Sequence, residues 1–464
     1  MKILRLLILF VTSFLLIAGC SDSIPEETEH PVLPNTPDFD PAPATLPPVE
    51  TPAPPWAEKL LTDFSFFLDP ADFENHPGLP DVFTMLSGKP VETDEDFQTR
   101  MQEIRDLYQY YIYGFWPDHK KETVTYDFDG YNLEVTIEAN GNKSSFSAIV
   151  SIPDTPAPQG GYPVIISLSF SWGNFPFGHG IPYQFALDNG YAVISYNTPM
   201  IAADDASRTG AFYELYPYDK ENVFEQTGTL MAWGWGGSKI IDALENGLGS
   251  QIGADTEKIV ITGVSRYGKA AFVAGAFDER IAITMPACSG AGGASLYRYN
   301  PSGNIYDFSS IGGPSEVKAG APERLDNLQN GFPWWFNDTY KAFKKPEQLP
   351  IDQHMQAVLC STGGRSLFIV SESDNSWIGP AATHATFTAS LDVFNKLDIA
   401  QQLAINLHWE GHAVLVEDLE KALPFCDYRF FSEPLPFDFS ETLQTTVFDL
   451  EVNVMDDLTE LLGR

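Results

Sequence analysis

Residues 258–269 have the sequence KIVITGVSRYGK, and they decide how the rest of the chain is interpreted. The stretch begins with a short apolar run that predicts a buried strand, and residues 269–277, KAAFVAGAF, predict a helix. Between the two lies Ser265, which is followed by Arg266 and, on the same helical face, by Lys269. A serine at a strand-to-helix corner, with two cations beside it, is suited to attack an oxygen-rich substrate and to stabilise a developing negative charge.

Further apolar runs alternate with helical patterns on both sides of this corner. Such alternation favours a mostly parallel sheet that is covered by helices on both faces. Together with the exposed serine, it predicts an α/β-hydrolase fold, a three-layer sandwich with insertions. The predicted strands are 131–139, 144–152, 163–169, 191–196, 258–263, 281–286, 366–370 and 403–407, and the predicted helices are 94–113, 229–248, 269–277, 382–396 and 415–423.

The first twenty residues predict a signal peptide. Lys2 and Arg5 precede the apolar run 6–18, which is too short and too early for a membrane-spanning helix. The run ends in IAGC, which resembles a bacterial lipobox and implies cleavage before Cys20 and a lipid on that cysteine. Ser21 in the next position indicates the outer membrane. The alternative is a plain secretory signal, so we expect a lipid-anchored envelope protein or a secreted one.

The composition divides the chain into four parts. We predict a lipoprotein signal peptide over 1–20, a Pro-rich acidic linker over 21–55, an α/β-hydrolase domain over 56–432 and an acidic tail over 433–464. The linker has no Lys or Arg and cannot bury a core, so it is expected to stay extended. Residues 297–348 are aromatic, Gly- and Pro-rich and without period, and we expect an insertion near the active site there.

The net charge of −36, from 63 acids against 27 bases, argues against nucleic acid as a partner. The same negative charge repels anionic membranes, so contact with a membrane is expected only through the N-terminal lipid. Apart from Cys20, the cysteines are Cys288, Cys360 and Cys426, an odd number that allows at most one internal disulfide. Because no Cys/His spacing is typical of a metal site, we expect no metal. We also expect no cofactor and a monomeric protein.

Serine chemistry needs a base and an orienting acid, and in this fold they follow the serine in the order acid, histidine. Glu372 and Asp374 follow one late predicted strand, and His408 and His412 follow the last one. His412 comes after a glycine in a loop, as an exposed base would, whereas His408 lies at the strand end and is expected to be packed. Asp374 is the predicted acid because it lies deeper in its loop, and Glu372 is the alternative acid.

Two alternatives concern the corner itself. The common motif is G-x-S-x-G, but here only Gly263 is in place: Tyr267 occupies the second glycine position and Gly268 follows it. Ser265 has a second interpretation as an ordinary helix N-cap. The acid and histidine in the expected order favour the nucleophile. Arg266 would then stabilise the oxyanion together with a backbone N–H, a contribution of about 10²–10³ in turnover.

Motifs spread over residues 79–430 resemble those of the glucuronoyl esterases, carbohydrate esterase family fifteen. These motifs are LPDVF at 79–83, GKPV at 88–91, YGFWP at 113–117, AWGWG at 232–236, VSRYGK at 264–269, AFDERIA at 276–282, SGAGG at 289–293, LPIDQH at 349–354 and WIGP at 377–380.

The resemblance implies an esterase that cleaves 4-O-methyl-glucuronoyl esters between glucuronoxylan and lignin alcohols. It implies that Ser265 is the nucleophile, Arg266 the oxyanion stabiliser and His412 the base. It further implies that Lys269 and Trp377 contact the glucuronoyl sugar. An acetyl xylan or other carbohydrate esterase of the same fold is one rival function, and a non-catalytic glycan-binding surface lipoprotein is another.

The chain departs from the family pattern at several positions. Cys288 stands where the family's common acid lies, so the acid is expected after the later strand, at Asp374, as in some bacterial members. Val264 and Ala413 replace two cysteines that the family pairs, which implies apolar packing in place of a bridge. The expected glutamate before a Trp-Phe pair is not found in the sequence FPWWF at 332–336, so sugar recognition is expected to differ.

Overall fold

One sheet of nine strands organises the computed structural model, which describes residues 67–169 and 178–435. Its strands follow the order β1-β2-β3-β5-β4-β6-β7-β10-β11, and a separate hairpin pairs β8 with β9. The strands are β1 (Thr123–Phe128), β2 (Asn132–Ala139), β3 (Asn142–Ser151), β4 (Tyr162–Ser169), β5 (Ala192–Asn197), β6 (Ala254–Val264), β7 (Ile283–Ala287), β8 (Ile305–Tyr306), β9 (Val317–Lys318), β10 (Ser366–Glu372) and β11 (Leu403–His408). The run from β5 to β11 in the sheet is parallel, and β1, β2, β3 and β5 pair antiparallel.

Helices cover both faces of this sheet. They are α1 (Asp94–Tyr108), α2 (Tyr183–Asp188), α3 (Thr198–Ile201), α4 (Ala211–Leu215), α5 (Thr229–Ala243), α6 (Gly249–Ile252), α7 (Arg266–Phe277), α8 (Leu325–Gly331), α9 (Gln353–Leu359), α10 (Pro380–Lys396) and α11 (Val416–Phe431).

The strands send alternate side chains into two separate cores. In β6, Ile259 and Ile261 join the larger core with α5, α7, α9 and α10, while Val260 joins the smaller core with α2 and α11. This alternation follows from the two-residue period of a strand, and burial on both faces explains why the central strands are almost wholly apolar. The predicted α/β-hydrolase sandwich with a mostly parallel sheet is confirmed.

Several boundaries differ from the predicted ones. Strand β1 was not predicted, because it is an edge strand with the polar sequence TVTYDF and mostly exposed side chains. Helix α7 begins at Arg266, three residues earlier than predicted. The helices predicted over 94–113 and 229–248 end in one wider turn of five residues each.

Parts of the predicted domain organisation lie outside the described residues. These are the signal peptide over 1–20, the linker over 21–55 and nearly all of the tail over 433–464. Within the described residues, α11 ends at Phe431, one residue before the predicted end of the domain. None of the helices described is both long and apolar enough to span a bilayer.

The insertion over 297–348 packs onto the domain near the carboxyl ends of the strands. Phe308 stacks against Trp409, which follows β11, with 5.4 Å between ring centroids. Trp335 and Phe336 from the same insertion lie in the larger core. Within the described part of the chain, Cys288, Cys360 and Cys426 are all buried free thiols.

Candidate functional site

Ser265 lies at a strained corner between β6 and α7. Its φ is +61° and its ψ is −126°, a conformation that L-residues other than glycine rarely adopt. The serine occupies the N-cap position of α7, yet its side chain makes no cap hydrogen bond to any described residue. A helix cap would have extended backbone and a bonded hydroxyl. The geometry therefore favours the nucleophile over the cap, because it leaves the hydroxyl available at the strand end.

The displaced glycine has a steric reason. A Cβ on Gly268 would lie 2.5 Å from the Ala287 carbonyl oxygen, so the helix can approach β7 only without a side chain there. Tyr267, which occupies the usual glycine position, is buried and packs edge-to-face against Trp233, with 5.0 Å between ring centroids. The glycine that allows the close approach of α7 to β7 is therefore Gly268, one residue after the usual position.

His412 and Glu372 form the hydrogen-bonded pair of the site. His412 Nδ1 lies 2.7 Å from Glu372 Oε1. The carboxylate is buried, with 2% of its side chain exposed, whereas 43% of the imidazole is exposed. Asn375 Nδ2 donates to the same Glu372 oxygen at 2.9 Å and fixes its position. A buried carboxylate thus orients a solvent-facing ring, the arrangement that a general base requires.

This contact reverses the predicted order of the two acids. The sequence favoured Asp374, but no hydrogen bond joins the Asp374 carboxylate to His412 among the described residues. The Asp374 backbone N–H donates to the Trp409 carbonyl at 2.9 Å, which ties this part of the loop to the end of β11. Burial, with the charge of Glu372, raises the pKa of Asp374. Glu372, the last residue of β10, is the carboxylate that reaches the ring.

The site is continuous along the carboxyl ends of β6, β7 and β10. Ser265 N–H donates to the Ala287 carbonyl at 2.9 Å, and the next residue, Cys288, donates its N–H to Val370 in β10 at 2.9 Å. The ligand atoms of Cys288, Glu372 and His412 lie within 4.8 Å of one another. Burial raises the pKa of the Cys288 thiol well above its ordinary value.

Arg266 is held beside Ser265 by an aspartate and two indoles. Its guanidinium pairs with Asp204 at 2.5 Å and lies 5.2 Å above the Trp335 ring. Asp204 accepts further hydrogen bonds from the indole nitrogens of Trp334, at 2.9 Å, and Trp335, at 2.7 Å. The Arg266 side chain is 38% exposed, so part of the guanidinium is open to solvent.

Lys269, which the family resemblance implies contacts the glucuronoyl sugar, is buried in the structure. Its side chain is 4% exposed, and its ammonium donates to the Ser289 carbonyl at 2.7 Å, the Ala291 carbonyl at 2.5 Å and Glu323 at 2.5 Å. An ammonium has three donors, and these three acceptors use them all. Burial lowers the pKa of Lys269. The lysine fixes the loop after β7 and does not point a free donor outward.

Trp377 lies on the loop after β10 and is 39% exposed. Its backbone N–H donates to Asn375 at 3.1 Å, and its carbonyl accepts from the Glu323 N–H at 2.8 Å. The loop that follows Glu372 is therefore tied to the insertion that carries Glu323. The indole face remains available to a ligand.

Four contributors were missed in the sequence: Asp204, Asn375, Glu323 and Asp418. Asp204 and Glu323 lie far along the chain from the cations that they pair with, and no local spacing links them. Asn375 lies three residues after Glu372, in the loop that follows β10, so its proximity was visible in the sequence but its hydrogen bond to Glu372 was not. His408, expected to be packed, is indeed buried and bonds to Asp418 at 3.0 Å.

A serine on a strained strand-to-helix corner, with a histidine–carboxylate pair on later strand ends of a mostly parallel sheet, is the arrangement typical of an α/β-hydrolase fold. The family is decided by comparison with known proteins. Residues 135–398 match the family model described as "Glucuronyl esterase, fungi". The chain belongs to the glucuronoyl esterase family, carbohydrate esterase family 15.

Curated relatives agree with this assignment. The chain is 39% identical over 413 residues to a multidomain esterase of Ruminococcus flavefaciens, covering 86% of this chain and 52% of the relative. It is 33% identical over 334 residues to a 4-O-methyl-glucuronoyl methylesterase of Hypocrea jecorina, covering 70% and 63%. The chain thus spans between about half and two thirds of the length of these relatives.

Solved structures give the same picture. A carbohydrate esterase family 15 glucuronoyl esterase from Caldicellulosiruptor kristjansonii superposes with a TM-score of 0.70 at 40% identity, covering 80% of this chain and 96% of that one. A serine-to-alanine mutant of a Sporotrichum thermophile glucuronoyl esterase, in complex with methyl 4-O-methyl-β-D-glucopyranuronate, superposes with a TM-score of 0.65 at 26% identity, covering 84% and 96%.

Proposed function

We propose that this protein is a serine-type carboxylic ester hydrolase that cleaves 4-O-methyl-glucuronoyl esters, such as those that link glucuronoxylan to lignin alcohols. The observation that carries the proposal is the strained, uncapped Ser265 at the carboxyl end of β6, at the same edge of the sheet as a half-exposed His412 whose Nδ1 lies 2.7 Å from the buried Glu372 carboxylate. A purely structural corner needs neither feature. Backbone strain of this kind costs free energy and clusters at functional sites.

In the first step, Ser265 Oγ attacks the carbonyl carbon of the uronate ester while His412 takes the hydroxyl proton. The tetrahedral intermediate collapses when the imidazolium gives that proton to the leaving alcohol, and an acyl-enzyme remains. Water then repeats the sequence: His412 takes its proton, the hydroxide attacks the acyl carbon, and Ser265 leaves with the proton. The products are a free uronic acid and an alcohol. Glu372 holds the ring in the required tautomer and stabilises its charged form.

The oxyanion is expected to bind at the N-terminus of α7. The Arg266 backbone N–H lies in the first turn, where amides have no intrahelical acceptor. The Arg266 guanidinium supplies a second, charged donor from its position over Trp335. Its pairing with Asp204 holds it in place before substrate arrives, so little reorganisation is needed during the reaction.

The choice of a glucuronoyl ester is supported by the relatives. The Hypocrea jecorina relative is named a 4-O-methyl-glucuronoyl methylesterase, and the Sporotrichum thermophile neighbour was solved with a methyl 4-O-methyl-glucopyranuronate. In this chain the exposed Trp377 indole offers a face for a sugar ring beside the acid-bearing loop.

The test is a side-by-side rate comparison on benzyl glucuronate and on an acetylated xylo-oligosaccharide, with Ser265→Ala as the matched inactive variant. We expect a higher kcat/KM on the glucuronoyl ester and no turnover in the variant. A strong acetyl preference would assign the same machinery to another carbohydrate ester. A wild-type protein that neither hydrolyses ester nor reacts with a fluorophosphonate at Ser265 would be a glycan-binding protein without catalysis.

The location of the protein is a separate part of the proposal. We propose that Cys20 carries a lipid that anchors a monomeric domain to the bacterial envelope, and that the acidic linker spaces it from the membrane. Fractionation of cells that express the full chain should find it with membranes, and Cys20→Ala should release it. An unchanged distribution in Cys20→Ala would mean that the signal is a plain secretory one.

A further inference from the structure

His408 is a buried histidine four residues before the proposed base. Its side chain is 1% exposed, at the end of β11. His408 Nδ1 lies 3.0 Å from Asp418 Oδ1, and His408 Nε2 lies 2.9 Å from the Gly411 carbonyl oxygen. A carboxylate and a carbonyl are both acceptors, so both ring nitrogens must donate. A ring in this position is satisfied only as the imidazolium.

The charges around the ring agree with this protonation state. Burial disfavours a charged ring, but the hydrogen bond and negative charge of Asp418, with contributions from Gly411 and Glu417, outweigh it, and the pKa of His408 is raised. Asp374, from the loop after β10, contributes further negative charge. Glu372, whose carboxylate bonds to His412, is the register partner of His408 in β10.

Asp418 is itself rigidly held at the start of α11. Its second oxygen accepts from the Leu415 backbone N–H at 2.8 Å, and its first oxygen also accepts from Asn406 Nδ2 at 2.7 Å. The Asp418 carboxylate therefore joins the first turn of α11 to the end of β11. A ring bonded to it has little freedom to move.

On its other side the ring holds the turn that carries His412. The Gly411 carbonyl accepts from His408 and also from the Ala413 backbone N–H at 2.7 Å, which closes a tight turn around residue 412. Gly411 has a φ of +116°, which an L-residue rarely adopts. The orientation of this turn decides where the His412 ring points, because the Glu372 bond fixes only one of its nitrogens.

We propose that His408 is a positioning residue, a buried imidazolium clamped between Asp418 and the Gly411 carbonyl that holds the 411–413 turn and thereby aims the His412 ring at Ser265. The inference rests on the proposed function for its catalytic consequence, but the charge of the ring is independent of it. The clamp links α11, β11 and the base in one hydrogen-bonded chain.

The first experiment measures the charge of His408 in the full-length wild-type protein. In a pH titration followed by long-range ¹H–¹⁵N NMR, both ring nitrogens of His408 should stay protonated to a pH above the unfolded value of about 6.5, whereas the buried His354, whose pKa burial lowers to about 4, should have one protonated nitrogen at that pH. A His408 ring that loses its second proton at or below a pH of about 6.5 would overturn the proposal. This readout requires no substrate and no variant.

The second experiment separates positioning from folding. His408→Gln keeps a side-chain donor but no charge, and His354→Gln is the matched loss of a buried imidazole, one that bonds to the Pro80 carbonyl. We expect kcat on benzyl glucuronate, and the rate of fluorophosphonate labelling at Ser265, to fall about 10²-fold in His408→Gln with KM nearly unchanged, because a small misplacement of a catalytic group has that cost. His354→Gln should keep both rates. Unchanged rates in a folded His408→Gln would sink the proposal.

The pH dependence of stability gives an independent check that also covers a poorly folding variant. The pKa of His408 is raised in the folded state. The charged ring therefore contributes fully to the free energy of unfolding below the unfolded-state pKa of about 6.5, and this contribution is lost as the pH rises through the folded-state pKa. The gap in melting temperature between wild type and His408→Gln should therefore narrow on the alkaline side. A gap that is constant with pH contradicts a charged clamp. If the wild type itself neither turns over ester nor labels, the proposed function fails, and the NMR result still decides the state of His408.

Discussion

On the base side of the site, which we define as His412 with Glu372, the buried group is the carboxylate and the reactive ring faces solvent. On the cation side, defined as Arg266 and Lys269 with their carboxylate partners, the serine's two cationic neighbours are already neutralised. The difference follows from what each side must do. A base has to exchange protons with substrate and water, whereas a charged donor only has to be in place when the oxyanion forms.

The two sides also differ in where their support comes from. The base side is built from the ends of neighbouring strands and their short loops. The cation side depends on the insertion over 297–348, which supplies Glu323 to Lys269 and the indoles of Trp334 and Trp335 to the Asp204–Arg266 pair. The insertion therefore supplies side-chain partners to the cation side, whereas the His412–Glu372 bond is made without it, and it is the part of the site through which selectivity can vary.

The largest effect is expected on the base side, from His412→Ala. Removing the base should lower kcat on benzyl glucuronate by about 10⁴-fold or more, as loss of a triad member does in serine hydrolases. The ring is half exposed, so the free energy of unfolding should change little. The control is His76→Ala, an exposed histidine outside the site, which should keep full activity. Turnover within tenfold of wild type in His412→Ala would mean that another group is the base.

The next effect compares the two acids of the base side. Glu372→Gln keeps the shape of the side chain but favours the wrong imidazole tautomer, and we expect kcat to fall about 10³–10⁴-fold. Asp374→Asn should lower it less than about tenfold, because Asp374 does not bond to the ring. Steady-state kinetics on benzyl glucuronate measures both. A larger loss in Asp374→Asn would return the role of the acid to Asp374.

This pair of acids shows what could and could not be predicted from the sequence. Buried apolar runs decide the sheet, because a strand covered on both faces must be apolar along its whole length. The order of serine, acid and histidine follows from that sheet. The choice between Glu372 and Asp374 depends on how the chain leaves β10 and on the contact of Asp374 with Trp409, and neither is encoded by local spacing.

The cation side was harder to predict for the same reason. The sequence placed Arg266 and Lys269 on one face of a helix, and both do lie beside the corner. Their burial differs because Lys269 lies one turn deeper, under the loop over 289–291, while Arg266 stands at the helix start. Partners such as Asp204 and Glu323 come from distant segments, so only the folded chain reveals that one of the two paired cations is partly open to solvent and the other is buried.

On the cation side, Arg266→Met tests the oxyanion role. We expect kcat to fall about 10²–10³-fold with a small change in KM, because the guanidinium acts mainly on the transition state. Arg324→Met, which removes an exposed arginine of the insertion, is the control and should be silent. Asp204→Asn should give an intermediate loss, since it frees the guanidinium without removing it. If Arg266→Met changes only KM, the arginine binds the ground state and the oxyanion is held by backbone alone.

The smallest effect on turnover is expected from Lys269, although its effect on stability is large. Lys269→Met leaves Glu323 as a buried unpaired carboxylate, which should cost about 3–5 kcal/mol in the free energy of unfolding. The double variant Lys269→Met/Glu323→Gln removes both charges and should recover much of that loss, as denaturant unfolding would show. Turnover per folded molecule should fall less than in Arg266→Met. A KM that rises steeply in a well-folded Lys269→Met would mean that the ammonium leaves Glu323 to bind substrate. Both cations would then contact substrate, instead of Lys269 fixing the loop after β7 and Arg266 alone stabilising the oxyanion.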